Sequence, residues 1–284
     1  MMVLVTGGRG TVAAAVVRGL VDAGVPVRVG GREPGELTAP EGVDVVLADL
    51  TRPETLPAAL EGVDRVFLYA EPAGISGFVE AATAAGVQQV VLLSSIAVHG
   101  EGAIAQRHLL VEQALSAATF GSTFLRPGGF AGNALKSWLG PISAGDTVRL
   151  AIPGSTDAPI DERDIAAVAV AILLAGPGGG YDGVALDLTG PASMTRREMV
   201  ETLAAELGRE ARIVGLDAEE ARADMAAMWP APLVESFLSF WCATDGVPTP
   251  VSDAVERVTG RAARTFAVWA REVAATATPV AASW

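Results

Sequence analysis

Along the first half of the chain, short apolar runs alternate with stretches in which apolar residues recur every three or four positions. Val3, Leu4 and Val5 form one run; Thr6-Gly7-Gly8-Arg9-Gly10 breaks it; Thr11 to Leu20 then resumes at helical spacing. The same alternation predicts strands at Val25 to Val29, Val43 to Leu47, Arg65 to Tyr69, Gln89 to Leu93 and Ser122 to Leu125, with helical segments between them. Thr51 is placed as the cap of the helix that opens Thr51-Arg52-Pro53-Glu54. Strands that alternate with helices make a parallel, doubly wound α/β sheet, whose ligand lies beyond the carboxyl ends of the strands.

After residue 150 the pattern becomes mainly helical. Asp161 to Ala175 reads as a helix ended by Gly176-Pro177-Gly178-Gly179-Gly180, and Val184 to Leu188 as a strand. Thr195 and Glu198 have the spacing of a capping box before a helix to Leu207, with Gly208 as its stop. Helices are expected around Glu219 to Met228, Leu233 to Trp241, Ser252 to Val258 and Ala263 to Ala274, with a fraying tail after Thr276. The expected division is therefore a dinucleotide-binding Rossmann domain over 1–150 and a smaller region over 151–284 that partly completes the sheet and covers a substrate pocket.

The glycine break carries the first chemistry. Gly7, Gly10 and Ala13 give G-x-x-G-x-x-A between strand and helix, where glycine lets the backbone approach a pyrophosphate and the helix N-terminus attracts it. Thr6, Gly7, Gly8, Arg9, Gly10, Thr11 and Val12 are the expected cradle. Arg32 follows the second strand where NAD-selective domains carry an acid, so it suits the 2′-phosphate of NADP(H), with Arg9 as a second guanidinium. Both arginines also read as ordinary surface residues, and Glu33 can itself reach a ribose hydroxyl.

Residues just past the other strand ends complete the cofactor set: Asp49 and Leu50 for the adenine, Tyr69, Ala70 and Glu71, Ser94 and Ser95, then Pro127, Gly128 and Phe130. Ile96, His99, Phe130, Asn133 and Trp229 are the expected substrate pocket. Met225, Met228, Trp229, Phe237, Phe240 and Trp241 read either as core or as an adaptable apolar wall, and Cys242 as a small core residue.

Composition narrows the classes. One cysteine and two histidines exclude an internal disulfide and leave a metal centre unexpected, so no metal ligands are assigned. The net charge of −13 argues against nucleic acid. The apolar run Ala166 to Ala175 is half the ~20 residues a bilayer crossing needs, and residues 1 to 20 lack a secretory layout. A cytoplasmic protein, monomer or homodimer, with a small apolar substrate is expected.

Thr6 to Gly10, Asp49-Leu50, Ser94-Ser95, Glu112, Leu125-Arg126-Pro127, Phe130 and Asn133 together resemble the NmrA-like atypical short-chain dehydrogenase/reductases. Pro159 to Ala166, Leu188 to Pro191, and Thr259-Gly260-Arg261 with Thr265, Phe266 and Trp269 extend the resemblance over nearly the whole chain. In many extended short-chain dehydrogenases a Tyr-x-x-x-Lys pair precedes a glutamate on the same helix by eight and four residues, a pattern from which NmrA-like proteins commonly depart. If Glu112 is that glutamate, those positions hold Ile104 and His108. The resemblance then implies NADPH-dependent hydride transfer to an acceptor needing little proton assistance, a quinone or a conjugated enone or ketone, with His108 as the acid; the alternative is a non-catalytic NAD(P)H sensor. A helix pair of His108 with Glu112 at four-residue spacing explains both residues equally well.

Overall fold

The computed structural model describes residues 1–227 and 229–276. Met228 and the stretch after Thr276 lie outside the described residues. In chain order the elements are β1 (Val3–Val5), α1 (Thr11–Asp22), β2 (Val27–Gly31), β3 (Asp44–Leu47), α2 (Leu56–Leu60), β4 (Arg65–Tyr69), α3 (Ile75–Ala85), β5 (Gln89–Leu93), α4 (Ala103–Ser116) and β6 (Gly121–Pro127). There follow α5 (Gly140–Ala144), β7 (Thr147–Ala151), β8 (Thr156–Asp157), α6 (Glu162–Ala175), β9 (Ala185–Leu188), β10 (Met194–Thr195), α7 (Arg196–Glu206) and β11 (Arg212–Leu216). The last are α8 (Ala218–Ala226), α9 (Ala231–Ala243), α10 (Ala254–Thr259) and α11 (Phe266–Thr276).

The chain forms two compact units, each made of several segments. The first comprises 1–128, 162–188 and 253–262; the second comprises 129–161, 189–252 and 263 onward. A single boundary at residue 150 therefore does not describe the division: α6, β9 and α10 belong with the N-terminal half.

In the first unit seven parallel strands run in the order β3-β2-β1-β4-β5-β6-β9. Strand order reverses at β1, and β1 is buried along its whole length because helices cover both faces of a parallel sheet. Val12, Ala13, Val16, Val17 and Leu20 form the buried stripe of α1. Leu50, Leu56, Leu60, Phe78, Val111 and Leu115 join Leu4, Leu68 and Leu92 in a core on one side of the sheet.

Three expectations shift. β2 starts two residues late and includes Gly30 and Gly31, which pair with Val46 and Leu47 instead of ending the strand. The glycine is needed there, because a Cβ at Gly30 would stand 2.7 Å from the Ala48 side chain. Thr51 caps no helix. Its amide and hydroxyl donate to Asp49 at 3.0 and 2.8 Å, and a single 3-10 turn over Pro53–Thr55 precedes α2. β6 runs on through Arg126 and Pro127, which pair with Asp187 and Leu188 of β9.

The second unit holds two short sheets that the periodicity missed, β7 parallel to β11 and β8 antiparallel to β10. Trp138, Val148, Leu150, Leu203, Phe266 and Trp269 make one core; Val234, Leu238, Leu216 and Ala221 make a smaller one with α8 and α9. The capping box of Thr195 and Glu198 is present on α7. No helix among the described residues is long and apolar enough to cross a membrane.

Candidate cofactor and acceptor site

The glycine loop has the form that phosphate binding needs. Gly7 adopts φ +68°, a region that costs other residues strain, and Gly10 N donates to Gly7 O at 2.8 Å to close the turn. Gly10 is the N-cap of α1 without a side-chain hydrogen bond, and the first helical bond runs from Ala14 N to Gly10 O. The amides of Thr11 and Val12, with the exposed face of Gly10, are thus free for an anion. The Thr6 hydroxyl is not available to a ligand in the same way: it donates to Phe67 O at 3.1 Å, accepts from Tyr69 N at 3.0 Å, and so ties β1 to β4. The ring of Tyr69 lies against Gly7, with Cδ1 3.0 Å from where a Cβ would be. Burial, reinforced by the charge of Glu71, raises the Tyr69 phenol above its usual range.

Several expected residues turn out to hold the frame. Leu50 is 1% exposed in the core, so its side chain cannot meet an adenine. Asp49 is buried and accepts from Thr51 and Arg52; burial alone would raise its carboxyl, but those hydrogen bonds outweigh it and hold the carboxyl below the usual range. Glu71 caps the turn after β4 through Ala73 N, and Ser95 caps the turn after β5 through Ala97 N. Pro127 is buried in β6, and Gly128 N donates to Leu188 O. Ile96 opens the 3-10 turn that ends at His99.

A charged network joins α4, β6 and the residue that follows β5. Ser94 donates to Glu112 Oε1 at 2.6 Å, and Arg126 donates to Glu112 through Nε at 3.0 Å and Nη2 at 2.6 Å. Glu112 is therefore engaged by β6 and the end of β5, not by His108. Burial would raise its carboxyl, yet Arg126 and Ser94 hold it below the usual carboxylate range. His99 Nε2 lies 2.9 and 3.0 Å from the two carboxylate oxygens of Asp187. His99, expected in the substrate pocket, thus has a side-chain partner while about half of its own side chain stays exposed.

A small pocket of about 180 Å³ opens on α4, lined by Ala70, Ile104, Arg107 and His108. His108 Nδ1 is buried with no hydrogen-bond partner among the described residues. Burial pushes the imidazole below its ordinary value of 6.5, and Arg107 adds to this, while Glu112 pulls the other way. His108 is consequently a neutral ring near pH 7, with Nε2 left as the atom that can face a ligand. Arg107 and Asp187 escaped the sequence reading, since neither lies in a motif and the partner of Asp187, His99, comes from a distant segment.

In the second unit Phe130 is half-buried and bridges Ile160, and Asn133 is exposed. The aromatic and methionine cluster is divided: Trp229 and Phe240 are each 46% exposed, Phe237 and Trp241 are half-buried and stacked at 5.5 Å, Met225 and Trp241 pack against the small core, and Cys242 is exposed instead of a core residue. Trp241 lies 3.8 Å from the guanidinium of Arg196, whose pKa burial lowers to about 10. Among the described residues no group of histidine, cysteine or carboxylate side chains can hold a metal.

Residues 7–175 match the model of a family described as NAD(P)H-binding, a span from the glycine loop to the end of α6. Over 280 residues the chain is 39% identical to a (4-alkanoyl-5-oxo-2,5-dihydrofuran-3-yl)methyl phosphate reductase of Streptomyces griseus, covering 95% of this chain and 97% of that one. It is 34% identical to an NAD(P)H azoreductase of Xenophilus azovorans, covering 96% and 98%. The NADPH-dependent quinone oxidoreductase QOR2 of Escherichia coli shares the fold at a TM-score of 0.80 and 23% identity, over 96% of this chain and 99% of that one. The likeness read from the motifs is borne out, and the chain belongs to the NAD(P)H-binding family, with the fold of the NmrA-like short-chain dehydrogenase/reductases.

Proposed function

We propose that the protein is an NADPH-dependent reductase whose acceptor is a small apolar molecule, a quinone or a conjugated enone or ketone. The reading rests above all on the α4 pocket: it carries no hydroxyl acid, and its one titratable ring is held neutral by burial. The residues present fit the cofactor. The uncapped start of α1 and the bare Gly7–Gly10 turn suit its pyrophosphate, and Arg32, exposed at the end of β2, suits its 2′-phosphate.

When bound, NADPH supplies a hydride. Ile104 and His108, standing where a Tyr-x-x-x-Lys pair would, leave the chain to orient rather than to acidify: His108 Nε2–H donates a hydrogen bond, and Ile104 excludes water from beside it. Such a site favours acceptors whose reduced form is stabilised without an immediate proton. The two relatives that match over nearly their full length support conjugated acceptors, one named as the reductase of an unsaturated lactone that also carries a methyl phosphate, the other as an azoreductase.

NADPH consumption measured against a panel of quinones, enones and unactivated ketones tests the reading. Turnover with the first two classes is expected to exceed that with ketones by about 10²-fold or more, the usual size of missing acid assistance. A specific observation favours the second reading, a cofactor sensor without turnover: the α4 pocket, at about 180 Å³, is smaller than the roughly 300–1,000 Å³ of ordinary ligand sites. No turnover with any acceptor, together with unequal affinity for NADP⁺ and NADPH, would establish that alternative.

A further inference from the structure

Arg9, at the tip of the glycine loop, is already paired through one of its guanidinium nitrogens. Its Nη1 lies 2.6 Å from Glu36 Oε2 and 3.8 Å from Glu33 Oε2, with more than half of each side chain exposed. The two carboxylates are fixed in place. Pro34–Glu36 form one 3-10 turn, closed by Glu36 N to Glu33 O and Leu37 N to Pro34 O, both at 3.1 Å. Leu37 then packs the turn onto two glycines: its methyls stand 3.3 Å from where a Cβ would be at Gly8 and 3.1 Å from one at Gly31. Arg32, by contrast, has no hydrogen bond or ion pair among the described residues.

We infer that Glu33 and Glu36 set cofactor selectivity by competing with the 2′-phosphate of NADP(H) for Arg9, so that the protein uses NADH as well as NADPH. The inference rests on the cofactor reading above. A phosphate recruits Arg32 without displacing anything, but at Arg9 it finds Nη1 held by Glu36 and must use the remaining guanidinium donors, where it sits beside two carboxylates of its own sign. The 2′-hydroxyl of NADH meets no such repulsion and can donate to Glu33. NADPH preference is thereby held near tenfold, the contribution of one charge-assisted contact instead of two.

The test is calorimetric affinity for NADPH and NADH in the native protein and in Glu36→Gln, Glu33→Gln/Glu36→Gln, Arg9→Ala and Arg32→Ala. Exposed ion pairs of this kind are worth about two- to fivefold each. The double glutamine variant should therefore tighten NADPH by roughly four- to twenty-five-fold and leave NADH unchanged or weaker. In an Arg9→Ala background Glu36→Gln should give a markedly smaller gain. Equal tightening of both cofactors, or unchanged NADPH affinity while Arg32→Ala still removes discrimination, overturns the competition and leaves the reductase reading standing. If Arg32→Ala itself leaves the NADPH to NADH ratio unaltered, the 2′-phosphate site is misplaced and the inference falls with it.

Discussion

His108 shows how little of a residue's chemistry lies in its name. Helical spacing from Glu112 suggested a charged pair, but Glu112 is taken by Arg126 and Ser94, and burial leaves the imidazole neutral. Because the folded pKa lies below the unfolded 6.5, the unfolded chain binds this proton more readily. The stability involved is present above pH 6.5 and is lost as pH falls below it. Acid assistance follows the opposite course. Reduction of a poor acceptor such as a ketone should rise as pH falls through the lowered folded pKa of His108 in the native protein and stay flat in His108→Ala, while quinone turnover changes little in either. Turnover at saturating NADPH between about pH 5 and 8 checks this, and parallel profiles for the two proteins would leave His108 without a part in proton transfer.

Elements were legible where one stretch of chain contains its own reasons. Val3 to Leu20 encodes strand, turn and helix within a single window, and Thr195 with Glu198 names its own helix start. β7 and β11 were not legible, because each is a five-residue strand whose partner lies some sixty positions away, and neither stands out from its surroundings. In α9 the apolar residues run round the whole helix, so sequence could not tell that only Val234 and Leu238 are buried. The cradle of the candidate site was readable for the first reason; the Glu112 network was not, since it joins α4, β6 and the end of β5. That network is also what holds those elements in register. Glu112→Gln should cost about 3 kcal/mol at neutral pH, the lower end for breaking a buried pair because Arg126 retains some solvent contact. Glu112 has a folded pKa below 4.5, so its contribution is present above that value and lost as pH falls through the folded pKa. Urea unfolding should show the gap between native and variant closing in acid, and a gap that persists at low pH would trace the cost to packing instead.

At the scale of the whole molecule, the alternation of strands and helices sufficed for the fold class and the sheet's parallel sense. It could not reveal that the chain leaves the first unit after residue 128 and comes back twice, because continuity along a sequence carries no record of which segments pack together. A fragment ending at residue 161 would contain β1 to β6 but lack α6, which covers α1, and β9, which pairs with β6. Such a fragment should show no cooperative unfolding transition by circular dichroism, and a sharp one would mean that the N-terminal strands are self-sufficient.

The return of β9 also sets a timetable for synthesis. Until residue 188 has left the ribosome, the segment of β6, Gly121 to Pro127, lacks the strand that pairs with its outer edge, and Ser122 to Leu125 and Pro127 are all destined for burial. Chains elongate at about 5–20 residues per second, so the sixty-odd residues between the two strands keep that edge open for several seconds. During that interval pairing with a neighbouring chain competes with completion of the sheet.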